Sequence, residues 1–378
     1  MSKKKILILS ITNQDVAPRV IRQIDFLEGK YDLYCCGLQN SIVSKDKFFP
    51  IRKGSHSIFQ KIIISLLKLF RLHNTAEKFI IKYKYRIDIP DQAPDFDLVV
   101  AHDLDAVALA YNKFNAKKVF VDLHEYAQEE FGETLYWKYV NKDFLNYQCK
   151  IYFPKVDACT TVCQSISEEY KKNFSLAPVV ITNAASFVDL KPAKAGETIR
   201  IISHGGAIRS RKLELMIEIA KNLDKRFTLD LMLIPNDLPY YNMLKKMAEE
   251  TDNVKIIPPV DYSRIITYCN NYDLGLYIIF PTNLNNKYSL PNKFFEFIQS
   301  RLAIVTGPSV EMERYINKYG LGISTGNFDP VDIAKEINKL SGAGIQEFKS
   351  NTDKHAWELS SEKNKILFNG MVDKLLQN

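Results

Sequence analysis

Twice along this chain, short apolar runs rich in β-branched residues alternate with stretches of helical periodicity, and few folds accept that pattern. Parallel strands need a crossover between them, so strand–helix–strand repeats read as parallel sheets. In the first half the spacing predicts strands over residues 5–11, 32–38, 98–102, 119–123, 158–162 and 179–182. Helices are predicted over 18–27, 105–112, 134–147 and 165–173. The rhythm breaks over 187–197, where Lys191-Pro-Ala-Lys-Ala-Gly196 has the composition of a linker. It then restarts with strands over 199–203, 228–234, 254–257, 274–279, 303–306 and 322–325. The matching helices are 213–223, 239–250, 262–270, 311–318 and 330–340, the last with Asp329 as N-cap. A final helix over 355–376 carries Trp357, Leu367 and Met371. The expected fold class is α/β, with two doubly wound units that bind ligands at the carboxyl ends of their strands and face a shared cleft.

A chain of 378 residues is long enough for two cores, and 46% apolar with 25% charged residues is ordinary for a soluble protein. The apolar stretch 62–67, interrupted by Ser65, is far short of a membrane span. The basic start, Met1-Ser-Lys-Lys-Lys5, leads into an apolar run too short for a signal peptide, so a cytoplasmic location is expected. Cys35, Cys36, Cys149, Cys159, Cys163 and Cys269 form no C-x-x-C pair, and no histidine stands at zinc-finger spacing, which fits reduced thiols.

The net charge of +7 is local. Residues 52–86 hold nine cations against one acid, Glu77, so the rest of the chain sums to −1. Within that segment Ile58, Phe59, Ile62, Ile63, Leu66, Leu67 and Phe70 recur at near-helical spacing, with Lys61, Lys68 and Arg71 between them. The plain reading is a crossover helix with a solvated basic face. The sharper one is a surface that rests on anionic lipid, at the inner face of a plasma membrane. Tyr83 and Tyr85, between Lys82, Lys84 and Arg86, have the interleaving of a nucleic-acid surface, but no nucleic-acid fold signature accompanies them and no such partner is expected.

The stretch Lys287-Tyr-Ser-Leu-Pro-Asn-Lys-Phe-Phe-Glu296 precedes the strand at 303–306. Pro291 and Asn292 start a helix, and Lys293 falls in its first turn, where a cation is unfavourable unless an anion is bound there. Glu296, one turn on, can accept hydrogen bonds from hydroxyls of the same ligand. A second stretch, Ser203-His-Gly-Gly-Ala-Ile-Arg-Ser-Arg-Lys212, leaves the first strand of the second half. Gly205 and Gly206 let backbone approach a ligand closely, and Arg209, Arg211 and Lys212 follow at the turn. It is neither the dinucleotide fingerprint nor a P-loop. Together the two stretches point to a diphosphate and sugar pocket.

On these residues the second half resembles the donor domain of retaining glycosyltransferases of family 4, which have the GT-B fold of two Rossmann-like domains. That family pairs two acids with seven residues between them, the second at a helix start. Glu296 matches the second, whereas Tyr288 stands in the place of the first. The resemblance implies that Glu296 holds a ribose, that amides near Asn292 and Lys293, just after Pro291, hold a diphosphate, and that Arg211 is the basic residue after the glycine turn. It also implies domains at 1–187 (acceptor side) and 199–352 (donor side), a linker at 188–198, and a terminal helix at 353–378 that packs toward the first domain.

In the first half, Asp15-Val-Ala-Pro18-Arg19-Val20 resembles the loop after the family's first strand, though two residues part Asp15 from Pro18. His102-Asp103-Leu-Asp105 and Asp122-Leu-His124-Glu125 follow later strands. His124 stands where the family has a functional histidine, so Asp15, Arg19, His102, Asp103 and His124 form the expected acceptor side, with His124 and Glu296 as the catalytic candidates. Asp103-Leu-Asp105 also fits a D-x-D metal motif, but Asp105 reads better as a helix cap. Enzymes of this fold generally stabilise the leaving diphosphate with helix dipoles and basic side chains, so no metal or other cofactor is expected. The implied partners are a nucleotide sugar and a saccharide or lipid-linked acceptor of surface polysaccharide synthesis. A sugar-nucleotide-binding subunit without activity and a nucleotide-sugar epimerase are the alternatives the same residues allow.

Overall fold

The computed structural model describes residues 3–53, 58–89, 93–130 and 134–377. Residues 54–57 of the basic segment and Asn378 of the expected terminal helix lie outside that set. The chain divides into two units, residues 1–182 with 283–285 and 364–378, and residues 183–282 with 286–363.

The first unit is built on an eight-stranded sheet. Its strands are β1 (Lys5–Leu9), β2 (Asp32–Gly37), β3 (Phe48–Lys53), β4 (Tyr85–Ile87), β5 (Leu98–His102), β6 (Val119–Leu123), β7 (Ala158–Thr161) and β8 (Val179–Val180). They lie in the order β4-β3-β2-β1-β5-β6-β7-β8, all parallel except the β3–β4 pair. β1, β5 and β6 are buried along almost their whole length, as strands covered on both faces must be. The parallel strands β1, β2, β5, β6, β7 and β8 are the ones expected from the alternation. β3, parallel to β2, and antiparallel β4 were not among them: they flank the helical pattern at 58–72, which dominates the reading of that stretch.

The second unit carries a six-stranded parallel sheet of β9 (Ile199–Gly206), β10 (Phe227–Ile234), β11 (Val254–Ile257), β12 (Leu274–Tyr277), β13 (Ala303–Thr306) and β14 (Gly322–Ser324). Its order is β11-β10-β9-β12-β13-β14. One device recurs at the amino ends of both sheets. Asp97, Asp157 and Asp273, each at the foot of a strand, accept the amide of the neighbouring strand's Lys5, Val119 and Arg200 at 2.8, 2.8 and 3.0 Å. Those amides have no ladder partner there, and the carboxylates satisfy them while fixing the register.

The last helix begins at Ser361 and not at 355. A separate helix, Gly342–His355, precedes it, and Trp357 lies exposed in the break. Helix Ser361–Gln377 then packs on the first unit: Phe368 is fully buried, with ring centroids 6.0 Å from Phe26 and 5.0 Å from Phe120. Phe368→Ala should lower the denaturant-unfolding free energy of the first unit by about 3–5 kcal/mol through the cavity it leaves.

Candidate functional site

In the second unit the glycine turn caps β9 at its carboxyl end. Gly205 has φ +131, and a Cβ there would lie 2.6 Å from Lys293 Nζ and 3.4 Å from Arg211 Nη1. Two cations therefore crowd over one glycine, at a backbone conformation L side chains rarely adopt. Arg211 leaves a single 3₁₀ turn, Arg209–Arg211, and donates to the Gly206 carbonyl at 3.3 Å. Lys293 comes from the first turn of helix Asn292–Gln299, whose N-cap is Pro291, a residue with no side-chain acceptor for the helix amides. That turn adds its own partial positive charge.

Burial and the adjacent Arg211 guanidinium push the Lys293 ammonium down to about 7, against a smaller opposing pull from Glu296. Its Nζ sits 4.9 Å from the centre of the Tyr277 ring, at the end of β12. Glu296 is buried, with Oε2 3.4 Å from Nε2 of buried His204. Burial, with the charge of Lys293, holds His204 down at about 3, so the imidazole is neutral. Glu296 is therefore largely enclosed by protein, deeper than an open ligand contact suggests.

The other expected residues of this unit separate from the pair. Arg209 is exposed, 3.8 Å from Asp237 and over the Tyr240 ring. Lys212 is exposed, left-handed at φ +49, with its ammonium 4.4 Å from the Phe280 ring centre. Tyr288 is half-buried before the helix, with Lys287 over its ring. Sequence reasoning passed over His204, Tyr277 and Asn236, whose Oδ1 would lie 2.3 Å from a Cβ on Gly206. A polar residue at the carboxyl end of a parallel strand was the available signal for the first two.

In the first unit, β5 and β6 end side by side and bring His102 and His124 together, Nδ1 to Nε2 at 2.9 Å. His124 keeps about a quarter of its side chain exposed, and Asp103 Oδ1 accepts its backbone N–H at 2.8 Å. Asp103 sits at φ +65, a left-handed corner at which the chain turns from β5 into helix Asp103–Lys113. Asp105 lies inside that helix and accepts from the Tyr85 hydroxyl at 2.7 Å, so it is not the cap. Tyr85 is buried, which removes it from any base-stacking role.

Arg19 and His102 are corrections to the expected acceptor side. Arg19 is buried and grips Asp122 with two hydrogen bonds of 2.6 Å, donating a third to the Ile181 carbonyl at 2.7 Å. Gln23 and Thr160 complete the shell of Asp122 at 2.6 Å each. His102 is buried behind His124. Asp15 accepts from the backbone and hydroxyl of Ser41, and so closes its own loop. His102, Asp122 and His124 offer three ligand atoms within 4.8 Å of one another, a spacing a metal could bridge. Arg19 already neutralises the carboxylate, and the two imidazoles stand at hydrogen-bond distance. The charge of the cluster is compensated, while His102 Nε2 and Gln23 Oε1 are buried without a hydrogen-bond partner among the described residues.

Burial lowers His102 to about 3, with the neighbouring His124 adding to the effect. His124 is held above its ordinary value, since the carboxylates of Asp103 and Asp122 outweigh its burial. Burial works to raise Asp122, yet Arg19 and His124 hold it well below the carboxylate range.

No protein-family model matches the sequence, and no curated protein matches it. Solved structures do. Sucrose-phosphate synthase from Thermosynechococcus elongatus superposes with a TM-score of 0.70 at 11% identity, covering 99% of this chain and 100% of that one. A glycosyltransferase from Rickettsia africae gives 0.70 at 14% identity, with both chains fully covered. Anabaena HepE in complex with UDP and glucose gives 0.64 at 11%, covering 98% of this chain and 100% of that one. The chain has the GT-B fold. At these identities the likeness speaks for the two-sheet α/β architecture and leaves residue roles to the geometry above.

Two outcomes follow for the first unit. Asp122→Asn leaves the Arg19 guanidinium buried without its anion and should cost about 3–5 kcal/mol of stability in chemical denaturation. Unfolded His102 takes up a proton near its ordinary 6.5 that folded His102 refuses until about 3. Stability should therefore fall as pH drops through that window, and His102→Gln should flatten the slope. His124 acts in the opposite sense: its contribution is full below 6.5 and fades as pH rises through its higher folded value.

Proposed function

We propose that this chain is a retaining glycosyltransferase of the family-4 type, which moves a sugar from a nucleotide diphosphate sugar to a saccharide or lipid-linked acceptor in surface polysaccharide synthesis. The observation that carries the reading is the convergence of Arg211 and Lys293 over Gly205, beside a helix N-terminus. Like charges repel, and burial makes that repulsion worse, so the arrangement gains most when an anion lies between them. A diphosphate has the size and charge to do so. The GT-B fold, and its likeness to a HepE structure holding UDP and glucose, support the same reading.

As the glycosidic bond to the donor breaks, charge builds on the leaving diphosphate. Arg211, Lys293 and the amides that open helix Asn292–Gln299 are placed to stabilise that charge without rearrangement. Retention then proceeds by same-face attack, in which the leaving phosphate oxygen takes the acceptor's proton and no side-chain nucleophile is needed. Glu296 accepts the ribose hydroxyls and tempers the Lys293 cation. His124, backed by His102 and raised in pKa by its carboxylate neighbours, positions sugar hydroxyls as a donor of hydrogen bonds. Tyr288 replaces an acid at the transferred sugar with a neutral hydroxyl.

A thermal-shift screen with uridine, guanosine and adenosine diphosphate sugars identifies the donor base. Arg211→Ala and Lys293→Ala should each weaken diphosphate binding about 10- to 100-fold, the worth of one charged hydrogen bond. Unchanged sugar transfer in both Arg211→Ala and Glu296→Ala would defeat the assignment. Binding of the anion raises the pKa of Lys293 from about 7. Affinity should therefore be greatest at or below neutral pH and fall at higher pH, by at most about tenfold per unit. Lys293→Arg should remove that pH dependence, as isothermal titration can show.

A further inference from the structure

Of the two readings of helix Ile58–Leu69, a solvated basic face or a lipid-facing surface, the exposures favour the second: the helix presents an apolar face. Ile58 is 79% exposed, Phe59 70% and Phe70, just past its end, 70%, with Ile62, Leu66 and Leu69 about half exposed on the same side. Ile64 alone of the helix is buried. A second segment, distant in sequence but in the same unit, extends the face: Leu135 is 74% exposed, and Tyr136 and Tyr139 are exposed beside it. The Ser65 and Tyr136 hydroxyls meet at 2.8 Å and hold the two segments together. Between them runs an open groove of about 390 Å³, walled by Ile58, Ile62, Leu66, Leu69, Tyr136 and Val140. An apolar face drawn from two segments is unusual on a soluble protein and marks something it touches.

Cations outnumber acids around this face. Lys61 lines the groove, Arg71 follows Phe70, and Lys138 is exposed next to Tyr139. Glu77, the one acid between residues 52 and 86, is buried, where it accepts from Gln148 and Tyr152. Among described residues one carboxylate reaches this rim, Asp143, paired with Arg71 at 3.1 Å. Lys68 does not contribute outward: it donates to Asn141 and lies over the Phe144 ring.

We propose that this face of the first unit is a docking surface for a membrane containing anionic lipid. Aliphatic and phenyl side chains enter the acyl boundary, the tyrosines sit at the headgroup level, and Lys61, Arg71 and Lys138 reach phosphate oxygens on their long stems. A helix of twelve residues, about 18 Å long, lies in the plane of the surface, and among the described residues no helix is long and apolar enough to cross. A second copy of the chain fits less well, because a two-fold contact would set one cationic rim against another. The inference stands on this face alone and does not require the transferase reading.

The test is flotation of the full-length protein with phosphatidylcholine vesicles, with and without phosphatidylglycerol. Binding is expected only with phosphatidylglycerol, and it should weaken as salt is added. Lys61→Gln with Arg71→Gln should reduce it about fivefold per charge, and Phe59→Ser with Phe70→Ser by about tenfold or more. Lys245→Gln, an exposed cation of the second unit, should change nothing. Circular dichroism melts report folding, and Ile58→Ser with Leu135→Ser repeats the test at two other exposed positions. Failure to float with anionic vesicles overturns the proposal, as does binding that survives the apolar substitutions. A dimer seen by sedimentation velocity, dissolved by those substitutions and unaccompanied by vesicle binding, would assign the face to self-association instead.

Discussion

Parallel pairing of strands governs everything else in this chain. A parallel sheet forces each connection to cross over, so all strands end at one edge, and every residue just past a strand gathers there. His102 and His124 meet because β5 and β6 are neighbours in register. Gly205 and Tyr277 both lie against Lys293 because β9 lies beside β12. The aspartates at the opposite edge hold that register by satisfying amides that the ladder leaves unpaired.

The same kind of residue serves opposite ends in the two units. Arg19 and Lys293 each lie in the first turn of a helix, where a cation opposes the local dipole. Arg19 is answered by Asp122, 103 residues away, with two short hydrogen bonds inside the protein. Its charge is spent on the fold, where it anchors the strand whose end carries His124. Lys293 instead meets a second cation, Arg211, with Glu296 as the compensating acid among the described residues. An internally neutralised cation is architecture, whereas two crowded cations at a strand end are what the proposed diphosphate site rests on.

The surface of the first unit shows a related division. Its basic segment contains one acid, and burial of Glu77 beneath helix-packed side chains takes that acid off the surface. What faces outward is then apolar side chains rimmed by cations, a combination that follows from the packing of residues 58–72 against residues far along the chain.

Apolar periodicity by itself determined the fold class, the two-part division and most parallel strands, because period-2 and period-3.6 patterns report which faces are buried. Residue chemistry, not periodicity, drew attention to Gly205, Arg211 and Lys293, since a glycine turn and a cation opening a helix are local features with local physics. Only the tertiary structure decided which of the candidates share a site. Arg19 and Lys293 look alike in one dimension, and Arg209, Arg211 and Lys212 are equivalent by spacing. Their fates depend on partners far away in sequence, and a charge is stabilised or left strained according to what stands within a few ångströms of it.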